Sequence, residues 1–261
     1  LWGMSFEEVK SRINQLSEQL HHYNYMYYVK SGSLVSDYEF DMLLKELEAL
    51  EAQFPELVDI NSPSKRVGGA VVKNFETVAH RFPMLSLSNS YSKEEIVEWE
   101  ERIKKTIEQD IEYVCELKYD GVAIGIRYVN GVFHSAVTRG DGTQGELVSS
   151  NVKTINSVPL KLKGTVPVDF EIRGEIFLPL QEFERLNKER AAADLALYAN
   201  PRNTASGTLK LQDSSLVSKR NLDCYLYGMY EERSSYHSHY EAVITAGEMG
   251  FKVPRPEERK I

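Results

Sequence analysis

Cysteine is scarce in this chain, with only Cys115 and Cys224 among 261 residues. Two thiols exclude a disulfide framework and a four-ligand zinc site. Long apolar runs are also missing. A stretch such as Gly121 to Ile126 falls far short of the ~20 residues that span a bilayer. No secretory segment opens the chain, so a cytoplasmic setting with no membrane partner is expected. The histidines His21, His22, His80, His134, His237 and His239 show no ligand spacing with a third donor, and no metal-ligating set is read from them. His237 and His239 read as an exposed polar loop. Cys115 reads as core.

An excess of basic charge is absent as well. The net charge is −8, which argues against a simple nucleic-acid-binding chain. Residues 1–68 hold 6 basic and 11 acidic side chains, and residues 69–261 hold 25 and 28. The acid excess therefore sits in the first quarter, which is unsuited to lie along a phosphate backbone. What is present is ordinary globular composition, 42% hydrophobic and 27% charged. At about 100–200 residues per domain, one large and one smaller domain are expected.

The first quarter reads as a helical hairpin. Ser5 with Glu8, and Ser36 with Glu39, have capping-box spacing. Val9, Ile13, Leu16 and Leu20 recur at helical steps, and the phase continues into Tyr23 and Tyr27. Ser31-Gly32-Ser33 breaks the pattern. Phe40, Leu43, Leu44, Leu47, Leu50 and Phe54 form the second stripe. A linker is expected from Asn61 through Gly69. A third helix is expected from Ser92, again boxed by Glu95, with Ile96, Trp99, Ile103 and Ile107 on one face.

After Asp110 the pattern turns strand-like over 114–118, 122–129 and 132–138, with Asn130-Gly131 as a hairpin turn. Residues 139–145 read as a glycine-rich loop. Residues 170–176 alternate, a strand with one apolar face. Gln181 to Leu195 reads as helix, Asn200 to Lys210 as a polar loop and Leu222 to Tyr230 as a last strand. Strands and helices do not alternate strictly, so the class expected is α+β, with antiparallel or mixed sheets and flanking helices.

Chemistry is most concentrated in Glu116-Leu117-Lys118-Tyr119-Asp120-Gly121. On a strand, Glu116, Lys118 and Asp120 share a face. A solvated ladder is the plain reading of such a triplet. A nucleophilic lysine is the sharper one, with Gly121 allowing a ligand close to the backbone. Flanking carboxylates favour the ammonium form, which has no lone pair to attack with. A cation such as Arg139, Arg173, Arg202 or Lys210, or a divalent metal, has to offset them. In the hairpin, Asp37 and Asp41 lie four apart on one helix, as do Tyr23 and Tyr27 on the other. Acid plus aromatic suits a cationic ring. Helix capping by Asp37 and plain packing of the tyrosines are the alternatives.

Lys118-Tyr119-Asp120-Gly121 matches the KxDG pattern of nucleotidyltransferases, a weak signal alone. PMLSLSN (83–89), CELKYDG (115–121), VTRGDGTQGE (137–146), EIRGEIFLP (171–179) and NPRNTASGTLK (200–210) follow in order. Together they resemble the N-terminal part of bacterial NAD-dependent DNA ligases, over essentially the whole chain. The resemblance implies a hairpin domain at 1–68 and a nucleotidyltransferase domain at 69–261. It implies that Lys118 attacks NAD, releases nicotinamide mononucleotide (NMN) and becomes lysyl-AMP, with Asp120 supporting the lysine or a metal. Glu116, Ser86 and Leu87 would line the adenine pocket, and Tyr227 would stack on the ring. Arg139 and Glu175 would contact the ribose region, and Arg202 and Lys210 the phosphates. Tyr27, Tyr28, Asp37, Tyr38, Glu39, Phe40 and Asp41 would hold the nicotinamide nucleotide half. Magnesium or manganese, nicked double-stranded DNA and a monomeric protein are implied too.

The departures are specific. Phe40 stands where tyrosine is usual, Tyr28 where some members have histidine, and Lys210 where arginine is common. A later DGVVIK-type strand and its following lysine motif are absent, and Phe251-Lys252-Val253-Pro254 is not their equivalent. The barrel, zinc-binding and later DNA-binding modules are absent also, so the chain reads as a fragment, and zinc belongs only to the missing part. A module that holds NAD or NMN without chemistry, and an ATP- or GTP-using nucleotidyltransferase, are the alternatives.

Overall fold

The computed structural model describes residues 4–67 and 74–254. The first two helices are α1 (Phe6–Tyr28) and α2 (Asp37–Gln53). Both start at the expected capping boxes. Ser5 N–H donates to Glu8 at 2.6 Å and Ser36 N–H donates to Glu39 at 2.8 Å. Leu16, Leu20, Leu47 and Leu50 are fully buried between the helices, each worth ~1.5–3 kcal/mol of burial. Arg12 clamps Glu46 across the hairpin with two 2.7 Å hydrogen bonds.

The segment read as a linker is a built junction over its described part, 61–67. Asn61 Nδ2 donates to the Phe133 carbonyl at 3.0 Å. Arg66 donates to the carbonyls of Lys153, Ile155 and Val158 at 3.0–3.2 Å. Buried Glu51 accepts from the hydroxyls of Ser62 and Ser64. Burial lowers the Arg66 pKa to about 10. Gly68 and Gly69 lie outside the described residues, as do Leu1, Trp2 and Gly3.

The larger part holds a two-stranded sheet of β1 (Thr77–Ala79) with β4 (Gln144–Glu146) and a four-stranded sheet. The latter runs β3 (Val132–Thr138), β2 (Val122–Val129), β5 (Asp169–Phe177), β6 (Asp223–Tyr230), and every pairing is antiparallel. Asn130 and Gly131 turn the β2–β3 hairpin with φ of 50° and 74°, the left-handed values such a turn needs. Helices α3 (Lys93–Lys104), α4 (Ser149–Lys153), α5 (Leu180–Ala192), α6 (Pro201–Leu209), α7 (Ser214–Ser218) and α8 (His239–Glu248) complete the chain. One sheet face carries Ile124, Ile126, Tyr128, Phe170, Ile172, Ile176, Cys224 and Leu226. Val152, Leu186, Ala205, Leu209, Val217 and Ala246 of the helices cover it. The α+β class is observed. Among the described residues no helix is long and apolar enough to cross a membrane.

Six expectations change. Residues 114–118 form no strand, because no described segment lies alongside to complete a ladder. Cys115 is exposed, not core. Asn200 to Lys210 is helix, not loop: Asn200 accepts from Asn203 N–H, Pro201 sits in the first turn, and Thr204, Ala205, Thr208 and Leu209 are buried. The loop at 139–145 ends in β4, which pairs with β1. The polar face of β5 is buried as well, at Glu171 and Arg173. At α3 the cap is Ser92, but Glu95 accepts from Tyr91 N–H. The α3 stripe stays uncovered, with Trp99 41% exposed.

Candidate active site

Two anchors hold the Lys118 segment. The Tyr119 ring stacks on Tyr225 at 4.5 Å, and Tyr225 stacks on Phe177 at 5.6 Å. Gly121 lies against the Ile176 carbonyl, where a Cβ would collide. Its lack of a side chain serves the sheet contact, not a ligand. Lys118 itself is exposed.

The flanking carboxylates are not left to Lys118. Asp120 accepts from Arg202 at 2.9 Å. Glu116 lies 3.0 Å from His239 Nε2, the first residue of α8 rather than part of a loop. Among the described residues Lys118 makes no salt bridge. The electrostatic objection to a reactive lysine is thereby met at Asp120 by a permanent cation, while Glu116 is engaged by an imidazole. The Arg202–Asp120 pair is exposed and Glu116 is partly buried, so the first pair's worth lies in orientation more than stability.

The sheet face opposite the core completes the group. Arg139 N–H donates to Ala123 at 3.3 Å, and Ala123 pairs with Glu175, which pairs with Tyr225. One row thus crosses β2, β5 and β6 and begins at Arg139, just past the end of β3. Tyr227 donates to Glu175 at 3.3 Å. Burial raises the Glu175 pKa, opposed by the Tyr227 hydrogen bond, the Lys118 charge, the Gly121 N–H and Arg202. Burial, then Glu175, raises the Tyr227 pKa. Arg139 reaches Ser86 Oγ at 3.4 Å, and Leu87 is 80% exposed.

Arg173 and Asp141 build the support. Arg173 is not a free cation: it is buried, donates to Glu171 at 2.6 Å and to the Pro83 carbonyl at 2.9 Å, and also binds the Phe82 carbonyl. Its guanidinium lies 4.0 Å from the Tyr230 ring centroid. Asp141 accepts from the N–H groups of Thr143 and Gln144, which lower its pKa to about 2. Gly142 O then accepts from Met84 N–H at 2.8 Å. These contacts aim the segment bearing Ser86 and Leu87.

The hairpin candidates form a second group. Tyr27 and Tyr28 pack edge to face at 4.7 Å. Burial raises the Tyr28 pKa, with Tyr27 and Asp37 adding and Arg66 and Asn156 opposing. Asp37, Tyr38 and Asp41 are exposed on α2. The Glu39 carboxylate is taken up by the Ser36 cap, and Phe40 packs on the hairpin core. Lys210 pairs with Glu146 at 2.6 Å rather than with the Lys118 group. Among the described residues no hydrogen bond or ion pair joins the hairpin group to Lys118.

Residues 72–259 match the model of the NAD-dependent DNA ligase adenylation domain, and residues 6–68 match that of the DNA ligase-like, N-terminal NAD+-binding domain. The chain belongs to the NAD-dependent DNA ligase family. It is 56% identical to a DNA ligase of Christiangramia forsetii over 97% of this chain and 38% of that protein. It is 51% identical to a DNA ligase of Flavobacterium psychrophilum over 95% and 37%, and 48% identical to one of Thermotoga neapolitana over 95% and 36%. The chain thus spans under two fifths of the length of these relatives.

Tyr119, Tyr225, Asp141 and His239 are residues whose part in the site was not read from sequence, while Arg173 was read as a free cation and is a buried support instead. Tyr119 was visible inside the motif, and its alternate position was a usable signal. His239 gave none, being 123 residues from Glu116.

Proposed function

We propose that this chain is the NAD-binding and adenylation part of a DNA ligase. The α-phosphorus of NAD is attacked by Lys118 Nζ, which loses a proton. An N–P bond forms, the bond from that phosphorus to the bridging oxygen breaks, and NMN leaves. The observation that carries this reading is that Arg202 and His239 occupy the two carboxylates beside Lys118. Glu116, Ser86 and Leu87 receive the adenine, with Tyr227 against the ring. Arg139 and Glu175 meet the ribose, Arg202 meets the phosphates through N–H groups not bonded to Asp120, and Lys210 does so once Glu146 yields. Tyr27, Tyr28, Asp37, Tyr38 and Asp41 hold the nicotinamide nucleotide.

Among the described residues no three ligating side chains cluster. Magnesium or manganese held chiefly by phosphate oxygens, with Asp120 or Glu175 as an added carboxylate, fits such a donor set. The metal supplies charge neutralisation at the phosphates. In the whole protein AMP passes to the 5′-phosphate of a DNA nick and the adjacent 3′-hydroxyl seals it, in the cytoplasm. The −8 charge leaves most of the DNA grip to parts outside this chain.

Intact mass tests the reading. After incubation with NAD and magnesium, a gain equal to AMP is expected, absent in Lys118→Ala. No gain in the unaltered chain, with NAD binding retained, points to the binding-only reading, which the separation of hairpin group and Lys118 also favours. Labelling by ATP but not NAD selects the third reading.

A further inference from the structure

A groove of about 680 Å³ is formed by α5, residues 195–198, α7 and the turn after it. None of the residues given to NAD lines it. Its apolar lining is Leu186, Leu195 and Leu216. Leu195 and Leu216 are 52% and 47% exposed. Its charged lining is four cations, Arg185, Arg190, Lys219 and Arg220, against the single carboxylate of Glu189. In a chain of net charge −8, so one-sided a lining calls for a cause.

The nearby carboxylates are already engaged. Arg185 takes Glu189 at 2.6 Å and Glu182 at 2.8 Å. Asp213 caps α7, accepting from the Ser215 N–H at 2.8 Å. Among the described residues Arg190, Lys219 and Arg220 make no salt bridge. The two guanidiniums are nevertheless held in place. Arg190 Nε donates to the Ala196 carbonyl at 2.5 Å, and its guanidinium lies 4.3 Å from the Tyr198 ring centroid. Arg220 donates to the Thr208 hydroxyl at 3.0 Å and lies 5.4 Å from the same centroid. Tyr198 is itself fixed by Asn187, which donates to its carbonyl at 3.2 Å and accepts from its N–H at 2.8 Å. Each guanidinium thus keeps N–H donors beyond the one the protein uses. A planar fork ordered before binding suits a carboxylate or a phosphate, and little side-chain entropy is lost on contact.

The leucines decide between the two. A phosphodiester backbone meets the cations and leaves the leucines uncovered, whereas a peptide with acidic and aliphatic side chains meets both. Arginine and tyrosine are also frequent anchors of protein partners, and arginine clusters read acidic motifs. We propose that this groove docks an acidic, leucine-containing segment of a partner protein. Its carboxylates meet Arg190, Arg220 and Lys219, and its aliphatic side chains cover Leu186, Leu195 and Leu216. The contact uses none of the residues given to NAD, so it recruits the protein without entering the chemistry.

The test is fluorescence anisotropy with the whole chain. The probes are a short labelled peptide of alternating glutamate and leucine, the same peptide with serine for leucine, the same with lysine for glutamate, and a labelled DNA duplex. Saturable binding of the glutamate–leucine peptide is expected, about tenfold or more tighter than either altered peptide. Arg190→Gln and Leu216→Asp are each expected to weaken it about fivefold or more, with the thermal melt unchanged. Lys219→Gln, at an exposed side chain, repeats the charge test if Arg190→Gln melts early. Binding that these variants leave unchanged, or that does not saturate, overturns the proposal. Tighter binding of the duplex gives the groove to nucleic acid and overturns it too, as does self-association lost in the same variants, which gives it to a second copy of this chain.

Discussion

Asp120 accepts its hydrogen bond from Arg202, at 2.9 Å, and not from the lysine two residues before it. The pairing spans 82 residues, and among the described residues Lys118 makes no salt bridge to either flanking carboxylate. Arg202→Ala should therefore slow adenylation by about tenfold or more, through loss of a phosphate-binding cation and release of Asp120 toward Lys118. Adding Asp120→Asn should recover part of that loss. Rates of AMP mass gain across the four proteins give the coupling, and strictly additive losses would show that the pair is incidental.

Arg173 is predicted to act on stability and on the site together. Arg173→Met leaves Glu171 buried and unpaired and frees the Phe82 and Pro83 carbonyls. A cost of about 3–5 kcal/mol is expected in urea unfolding. Arg173→Met with Glu171→Leu should restore much of the stability but not the adenylation rate, since the segment bearing Ser86 and Leu87 stays untethered.

Within the hairpin, two acidic neighbours should separate cleanly. Glu39→Ala removes the carboxylate that caps α2 and should lower the melting temperature measurably. Its NAD affinity should hardly change. Asp37→Ala should do the reverse, weakening NAD binding with little effect on the melting temperature. Calorimetric titration with NAD beside thermal melts distinguishes the two.

Acid should loosen the junction through His21. Its folded pKa is about 4, against an ordinary 6.5. Between these values the unfolded chain binds more protons, so stability is full above pH 6.5 and falls as pH drops toward 4. The loss attributable to this group is roughly 2–3 kcal/mol. Urea unfolding in chloride buffer at pH 7.5 and 4.5 should show that loss, and His21→Gln should shrink it. An equal pH dependence in both proteins would contradict the assignment.

Elements whose signals are local were legible. Ser5 with Glu8 and Ser36 with Glu39 marked two helix starts to the residue. Asn130-Gly131 between two alternating runs marked a hairpin whose strands have the expected bounds. Asn200-Pro201 carried a cap signal that the polar composition hid. Strand β1 is three residues long and exists only because β4 lies beside it. The failure at 114–118 has the same cause: a strand-like run is not a strand without a partner to pair with.

By itself the amino-acid sequence determined the caps, turns, apolar stripes and the lysine motif, since each depends on residues a few positions apart. Only the tertiary structure decided which cation each carboxylate meets. It turned Arg173 inward, gave Asp120 to Arg202 and Glu116 to His239, and buried Arg66 at the junction. Electrostatic attraction and desolvation depend on distance through space, and chain order does not encode that distance until the sheet and helices have packed.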